Sequence, residues 1–402
     1  MNNLGLNKHR QISKPVKVHI FIILFLWAFL FSSCHKEKVL EQKQTDSIAS
    51  EISIEQVKVM YLLNDYFKID SMLSHKVNSV FKTLNDTERV AQMIMTSTGN
   101  NGKPFETVYK LAQKKKIGGV IIMGGTKYSF KAITGKLDSV VKKNNYLPLF
   151  FSADAEPRFV GSRIQGAQKF DAQSNTKLTK DVDTIANKIA MILKDLGLNM
   201  NFAPVCDISI NKDIVGDRSF GNDPKKIVEY SKVFIIATQK NNIIATAKHF
   251  PGHGNVKGDS HKEVVFIDGK LTELETFTEI INSGVIAVMI GHIAVKNNPE
   301  YNTDGVPSSL SKKIITDLLR KKLGFKGLIV TDALNMGAVT KFDKPALNAA
   351  IAGCDILLMP TDEEKLITAI LIEMSKNPDF KSQVYDSVKR IIRAKICLGL
   401  FK

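Results

Sequence analysis

Cysteine is scarce in this chain, with four in 402 residues, at positions 34, 206, 354 and 397. Cys206, Cys354 and Cys397 lie far apart in apolar contexts, so they form neither a disulfide framework nor the paired spacing of a metal site. They read as ordinary buried thiols. Long apolar runs are short here as well: Ile20–Phe31, near the start, spans 12 residues, well below the ~20 that a membrane-crossing helix needs. No Gly-x-Gly-x-x-Gly or phosphate-loop sequence opens a helix, which argues against nucleotide binding. The formal net charge is +16, yet no basic helix or aromatic-plus-basic repeat gathers the lysines. A solvated Lys-rich surface, with no nucleic-acid partner, is the expectation.

The N-terminus reads as a processed segment. Lys8, His9, Arg10, Lys14 and Lys17 form a positive region ahead of the apolar run, which ends in Phe31-Ser32-Ser33-Cys34. Small residues directly before a cysteine resemble the lipobox of bacterial lipoproteins, with Phe31 where Leu is commoner. This implies a signal peptide over residues 1–33, cleavage before Cys34, and a lipid anchor on that cysteine. The protein is then expected in the cell envelope, held to a membrane by acyl chains and facing the periplasm or on the outer membrane. Residues 34–83 read as a tether and an N-terminal helical segment, with Val57, Met60, Tyr61 and Leu63 at helical spacing.

From Leu84 to the end, short apolar runs alternate with longer amphipathic stretches, the pattern of βα units and a parallel sheet. Eight strands are predicted, around Met93–Met95, Gly119–Ile122, Leu149–Phe151, Met200–Ala203, Ile243–Ala247, Ile286–Ile290, Leu328–Val330 and Asp355–Leu358. Helices are predicted over Phe105–Lys115, Leu178–Leu196, Pro224–Gln239, Thr272–Asn282, Ser311–Leu323 and Ala346–Ala352, with Ser311 as an N-cap and Gly324 as a stop. Eight βα units without a break in composition predict one closed (β/α)8 barrel over residues 84–402, not a two-domain nucleotide-binding fold.

Charged and imidazole side chains recur just after the strand ends. Asp154, Glu156 and Arg158 follow the third strand; Asp207 and then Asp217-Arg218 follow the fourth. Lys248 and His249 follow the fifth, His292 the sixth and Asp332 the seventh. One such residue is an ordinary surface polar group. Five loops carrying them on one face predict a pocket for a polar, hydroxyl-rich ligand.

The densest stretch is Lys248-His249-Phe250-Pro251-Gly252-His253-Gly254, followed by Asp259-Ser260-His261. Pro251, Gly252 and Gly254 oppose a continuing strand or helix, so these polar groups are expected on an irregular loop at a strand's C-terminal end. Asp259, two residues from His261, can fix the imidazole tautomer and raise its pKa, making a general acid–base. Asp332 at a strand mouth can act as a nucleophile, a metal ligand or an electrostatic partner. A carboxylate nucleophile facing a proton donor is the minimum set for double-displacement glycosyl transfer. A metallohydrolase using His249, His253, His261 and Asp259 is the rival reading. It lacks the His-x-His pair after an early strand and a lysine-carboxylate bridge.

Taken together, these segments resemble the β-N-acetylglucosaminidase branch of glycoside hydrolase family 3. Lys248–Gly254 with Asp259-Ser260-His261 is similar to its hallmark. Gly197–Asp207 is similar to its strand-four signature, Arg218-Ser219-Phe220-Gly221 to its arginine loop, and Leu319-Arg320 with Leu323–Gly327 and Val330–Met336 to its nucleophile region. The motifs occur in family order and span about Leu84–Leu400. The resemblance implies a (β/α)8 barrel, a retaining mechanism with Asp332 as nucleophile and His261–Asp259 as the acid–base pair, and a GlcNAc-containing glycan as substrate. It places Asp154, Arg163, Arg218, Lys248 and His249 on the sugar, and implies no metal or organic cofactor. A monomer is expected. After the third strand the family's paired glycines are replaced by Pro157 and Arg158, and Arg163 matches the sugar-binding arginine with one residue of slippage. Lys262-Glu263 stand where the family has an apolar continuation. A phosphorylase, with phosphate in place of water, and a non-catalytic glycan-binding lipoprotein are the alternatives.

Overall fold

A computed structural model describes residues 60–209, 215–254, 256 and 264–401. The signal and anchor residues through Cys34, the tether up to residue 59, and Asp259, Ser260 and His261 lie outside the described residues.

Eight strands form one sheet: β1 Ile94–Thr98, β2 Gly119–Ile122, β3 Phe150–Ala153, β4 Met200–Asn201, β5 Ile244–Phe250, β6 Ala287–Ile290, β7 Leu328–Thr331 and β8 Leu357–Leu358. Every neighbouring pair is parallel, and β1 pairs with β8. A parallel bridge between Val330 and Ile356, reinforced by Thr331 N donating to Ile356 O at 3.0 Å, joins the two edges of the sheet. The fold is an α/β barrel of the (β/α)8 type. All eight expected strands are present. They were visible because a parallel barrel strand is covered on both faces and reads as an apolar run; every residue of β1 and of β7 is buried.

Helices cover the outside. Thr179–Asp195 turns Val182, Ala186, Ile189, Ala190 and Leu193 inward, the i, i+4, i+7 stripe of a one-sided helix. The longer helices that were not anticipated include Lys127–Lys143 between β2 and β3, and Glu363–Lys376 and Pro378–Cys397 after β8. Ser311 does not cap by its side chain; the helix spans Lys313–Lys322 in π-type geometry and takes only the Ser311 carbonyl, from Ile315 N. Gly324, at φ +67°, does end it. Ahead of the barrel, Met60 and Leu62 are exposed while Tyr61 and Leu63 are buried, so the chain here is not the helix its spacing suggested. A helix follows at Ser71–Lys82 and packs Leu73, Val77 and Phe81 toward the C-terminal helix.

The N-terminal end of the barrel is closed by buried charge. Asp355, fully buried, accepts from Arg320 Nη2 at 2.6 Å, Arg390 Nε at 2.9 Å and Ile329 N at 2.7 Å. Arg320, part of a motif that drew attention in the sequence, therefore serves the floor of the barrel. Nearby, fully buried Lys395 donates to Gln92 Oε1 at 2.7 Å and Gly118 O at 2.9 Å, and burial pushes its pKa far down.

Candidate active site

The opposite, C-terminal mouth holds a cavity of about 560 Å3, in the size range of small-molecule sites. Asp154, Arg163, Arg218, Lys248, His249, His253 and Asp332 line it, with Asn101, Met123, Phe159, Phe202, Met289, Asn335 and Met336 among their neighbours. Asp154, Arg163, Arg218, Lys248, His249 and Asp332, six of the residues singled out by sequence, thus meet at one place.

The segment after β3 is held by β4. Asn201, fully buried, accepts from Ala155 N at 3.0 Å and donates to Ala155 O at 3.3 Å, which fixes the carboxylates on either side of Ala155. A 3-10 turn, Pro157–Phe159, and a short helix, Val160–Arg163, then fold the chain back. Arg163 returns to Asp154, donating to its carbonyl at 2.5 Å and pairing with its carboxylate.

Lys248 and His249 lie within the strand, not on the loop expected for them: β5 continues to Phe250. Its register against β6 shifts between Ala247, opposite Val288, and Phe250, opposite Ile290. Three steps on one strand oppose two on the other, a bulge that re-aims side chains at a barrel rim. Lys248, 2% exposed, places Nζ 2.5 Å from Asp154 Oδ1 and 2.7 Å from Glu156 Oε1. Arg218 ends a short 3-10 turn and forks onto Glu156, with Nε to Oε2 at 2.9 Å and Nη2 to Oε1 at 2.8 Å.

Five charges are therefore interlocked, two carboxylates and three cations. Burial would raise the pKa of Asp154 and Glu156, and Asp154 pushes Glu156 up further, but Lys248 and Arg218, joined at Asp154 by Arg163, outweigh this and hold both carboxyls below the ordinary range. Arg218, despite burial, is raised by Glu156. The result is a rigid array of donors and acceptors, suited to hydroxyl groups. Arg158 is not part of it: it pairs with Asp217 on the exposed rim.

His249 packs against Asp207, which is fully buried beyond β4. Asp207 Oδ2 lies 2.7 Å from His249 Nδ1, and its oxygens also accept from His249 N and, at 2.8 Å, from His253 N. Burial opposes ionisation of Asp207, but the two histidines and these hydrogen bonds keep it charged. An ionised carboxylate accepts, so His249 carries its proton on Nδ1. His253 has its pKa pushed down to about 4, first by burial and then by His249.

Asp332 follows β7 and is half-buried. Its amide donates to Ile290 O at 2.9 Å, and its Oδ1 accepts from Ala333 N at 2.8 Å. Behind it, His292 is fully buried, with Nε2 2.9 Å from Ala333 O and Nδ1 2.7 Å from Ser309 Oγ. Burial would raise the Asp332 pKa; His292 and His249, with the Ala333 amide, bring it below the ordinary value. Among the described residues no group of three or more His, Cys, Asp or Glu side chains is arranged to hold a metal ion. Glu156 and Asp207, noted in the sequence only as charges beyond strand ends, are the carboxylates that hold Lys248, Arg218 and His249, and Asn201 is the contributor that the sequence reading gave no role. Their signal was their position, directly at strand ends beside the residues they hold.

Residues 86–394 match the N-terminal domain of glycosyl hydrolase family 3, and the chain belongs to that family. It is 31% identical over 314 residues to an uncharacterised secreted glycosyl hydrolase of Arthroderma benhamiae, covering 72% of this chain and 87% of that one. A β-hexosaminidase of Histophilus somni is 30% identical over 310 residues, covering 73% of this chain and 85% of the relative. Among solved structures, a family 3 β-N-acetylglucosaminidase from Paenibacillus superposes with a TM-score of 0.73 at 28% identity, over 79% of this chain and 64% of that longer one. A family 3 glycosyl hydrolase of Mycobacterium smegmatis gives 0.67 at 26% identity, over 78% and 98%. The chain is a glycoside hydrolase, hexosaminidase-like in sequence.

Proposed function

We propose that the protein is a retaining exo-β-N-acetylglucosaminidase that removes terminal β-GlcNAc from peptidoglycan fragments or related glycans. The observation that carries this reading is the placement of an ionised, half-buried Asp332 in the same cavity as Asp154, Lys248 and Arg218, the last two held by buried Glu156. The array holds hydroxyls and the N-acetyl group while Asp332 stands at the anomeric carbon. Arg163 and His249 complete the sugar contacts.

In the first step an Asp332 oxygen bonds to C1 as the C1–O glycosidic bond breaks, and His261, paired with Asp259, gives its proton to the departing oxygen. In the second, His261 takes a proton from water, water attacks C1, and Asp332 leaves. The roles of His261 and Asp259 rest on the motif Asp259-Ser260-His261 alone. Neutral imidazole suits the second step, because it has to accept a proton. No metal or cofactor enters either step. The reading extends to the N-terminus, where a lipid on Cys34 ties the enzyme to the cell envelope, with GlcNAc-bearing glycan as its substrate there.

Proton NMR of the released sugar tests the stereochemistry. The β anomer of GlcNAc appears first and mutarotates to the α form. Initial release of α-GlcNAc overturns the double displacement.

A further inference from the structure

In the turn after β5, Gly252 N donates to His249 O at 2.8 Å. Two buried carboxylates from other parts of the chain bind its other amides. Asp207 accepts from His249 N, His249 Nδ1 and His253 N, as described. Glu273, 3% exposed and directly before the helix Leu274–Asn282, accepts from Gly254 N at 3.0 Å and from Ile208 N at 2.6 Å. Ile208 is the residue after Asp207. The two carboxylates are therefore cross-braced: Glu273 grips the far end of the turn and also the backbone that carries Asp207.

Packing closes the same arrangement. A side-chain carbon at Gly252 would come within 2.6 Å of Glu273 Cβ, and one at Gly254 within 1.7 Å of Ile208 O. Only glycine lets the turn approach both walls this closely. The turn is thus held between the Asp207–Ile208 segment and Glu273. His249 and His253, which line the cavity, are on one side of it. Pro251 and Glu273 face a second cavity, of about 580 Å3, on the other.

We propose that Asp207 and Glu273 are positioning residues that clamp this turn, Asp207 setting the sugar-facing His249 and Glu273 setting where the chain leaves Gly254 toward Asp259 and His261. The proposal rests on the functional reading above. A purely structural clamp changes stability and lowers all activities alike. A positioning clamp separates its effects by step, because misplacing a reacting group by about 1 Å costs up to ~10²-fold in rate.

The experiment compares full-length wild type with Glu273→Ala, Glu273→Gln and Asp207→Asn on an aryl and an alkyl β-GlcNAc glycoside, with GlcNAc inhibition and thermal melts alongside. The aryl group leaves with little proton donation; the alkyl group needs the acid. Glu273→Ala lowers kcat/KM, which reports the first step, on the alkyl glycoside by up to ~10²-fold and on the aryl glycoside far less, with GlcNAc inhibition unchanged. Glu273→Gln, which keeps an accepting oxygen, recovers most of the loss. Asp207→Asn raises KM and weakens GlcNAc inhibition about tenfold, the scale of one charge-assisted hydrogen bond. Equal losses of kcat/KM on both glycosides, or Glu273→Gln no better than Glu273→Ala, overturn the clamp. If Glu273→Ala does not fold, wild-type behaviour of Glu273→Gln on the alkyl glycoside supports the clamp, and an equal loss on both glycosides overturns it. Wild type that cleaves neither glycoside sinks the functional reading, and with it the clamp's catalytic role.

Discussion

Arg218 closes a two-point fork on Glu156 while Lys248 meets the same carboxylate from the other side, at 2.7 Å. Glu156 is only 1% exposed, so this carboxylate is the anchor on which both cations depend. Removing it leaves two cations with too little compensation in a dry site. Glu156→Ala is expected to cost on the order of 3–5 kcal/mol of stability, the scale for breaking a buried pair, and to weaken GlcNAc inhibition. Glu156→Gln keeps the shape and costs less. Thermal melts with and without GlcNAc measure both; a melt and an inhibition constant unchanged in Glu156→Ala contradict the anchor role.

Asp355 offers the contrast. It holds Arg320 and Arg390 at the closed end of the barrel, away from the cavity. Asp355→Ala is expected to lose stability on the same ~3–5 kcal/mol scale while KM stays at the wild-type value in the folded fraction. Urea denaturation and steady-state kinetics separate the two. A changed KM would mean the floor of the barrel reaches the site.

Acid sensitivity has a specific source. Folded His253 has its pKa lowered to about 4, by burial first and then by His249. Between that value and about 6.5, where an exposed imidazole titrates, the unfolded chain binds a proton that the folded enzyme does not. Stability contributed by the neutral ring is present above about pH 6.5 and declines as pH falls toward 4, by about 3 kcal/mol in all. Asp154, Glu156 and Asp207, all depressed, add their own loss below about pH 4. Melting temperatures from pH 7 to 4 should therefore fall in wild type and fall less in His253→Asn. Parallel curves contradict this assignment.

What the sequence showed, and what it hid, follows from where each signal lies. Barrel strands such as Leu328–Thr331 are buried on both faces, so their apolar runs stood out. The helix Lys127–Lys143 was hidden because its buried face includes Thr134 and its middle carries Gly135, which blur the stripe. Asp154, Lys248, His249 and Asp332 were found because each stands at or close to a strand end, whereas Arg163 and Arg218, ten and 17 residues past theirs, were found through the family motifs they resemble. The bulge that aims Lys248 was not, since it exists only as register between β5 and β6. Nor could spacing say that Glu156 would be the more buried of the two carboxylates, or that Glu273, far along the chain, would reach back to Gly254.

The central claim is that Asp332 is the nucleophile of a β-N-acetylglucosaminidase. The most direct measurement is the turnover of an aryl β-GlcNAc glycoside by full-length wild type and Asp332→Ala, with and without inorganic phosphate. The account predicts phosphate-independent release of GlcNAc by wild type and a loss of at least ~10³-fold in kcat for the folded variant. Equal turnover by Asp332→Ala, or a product that forms only as GlcNAc-1-phosphate, would contradict it.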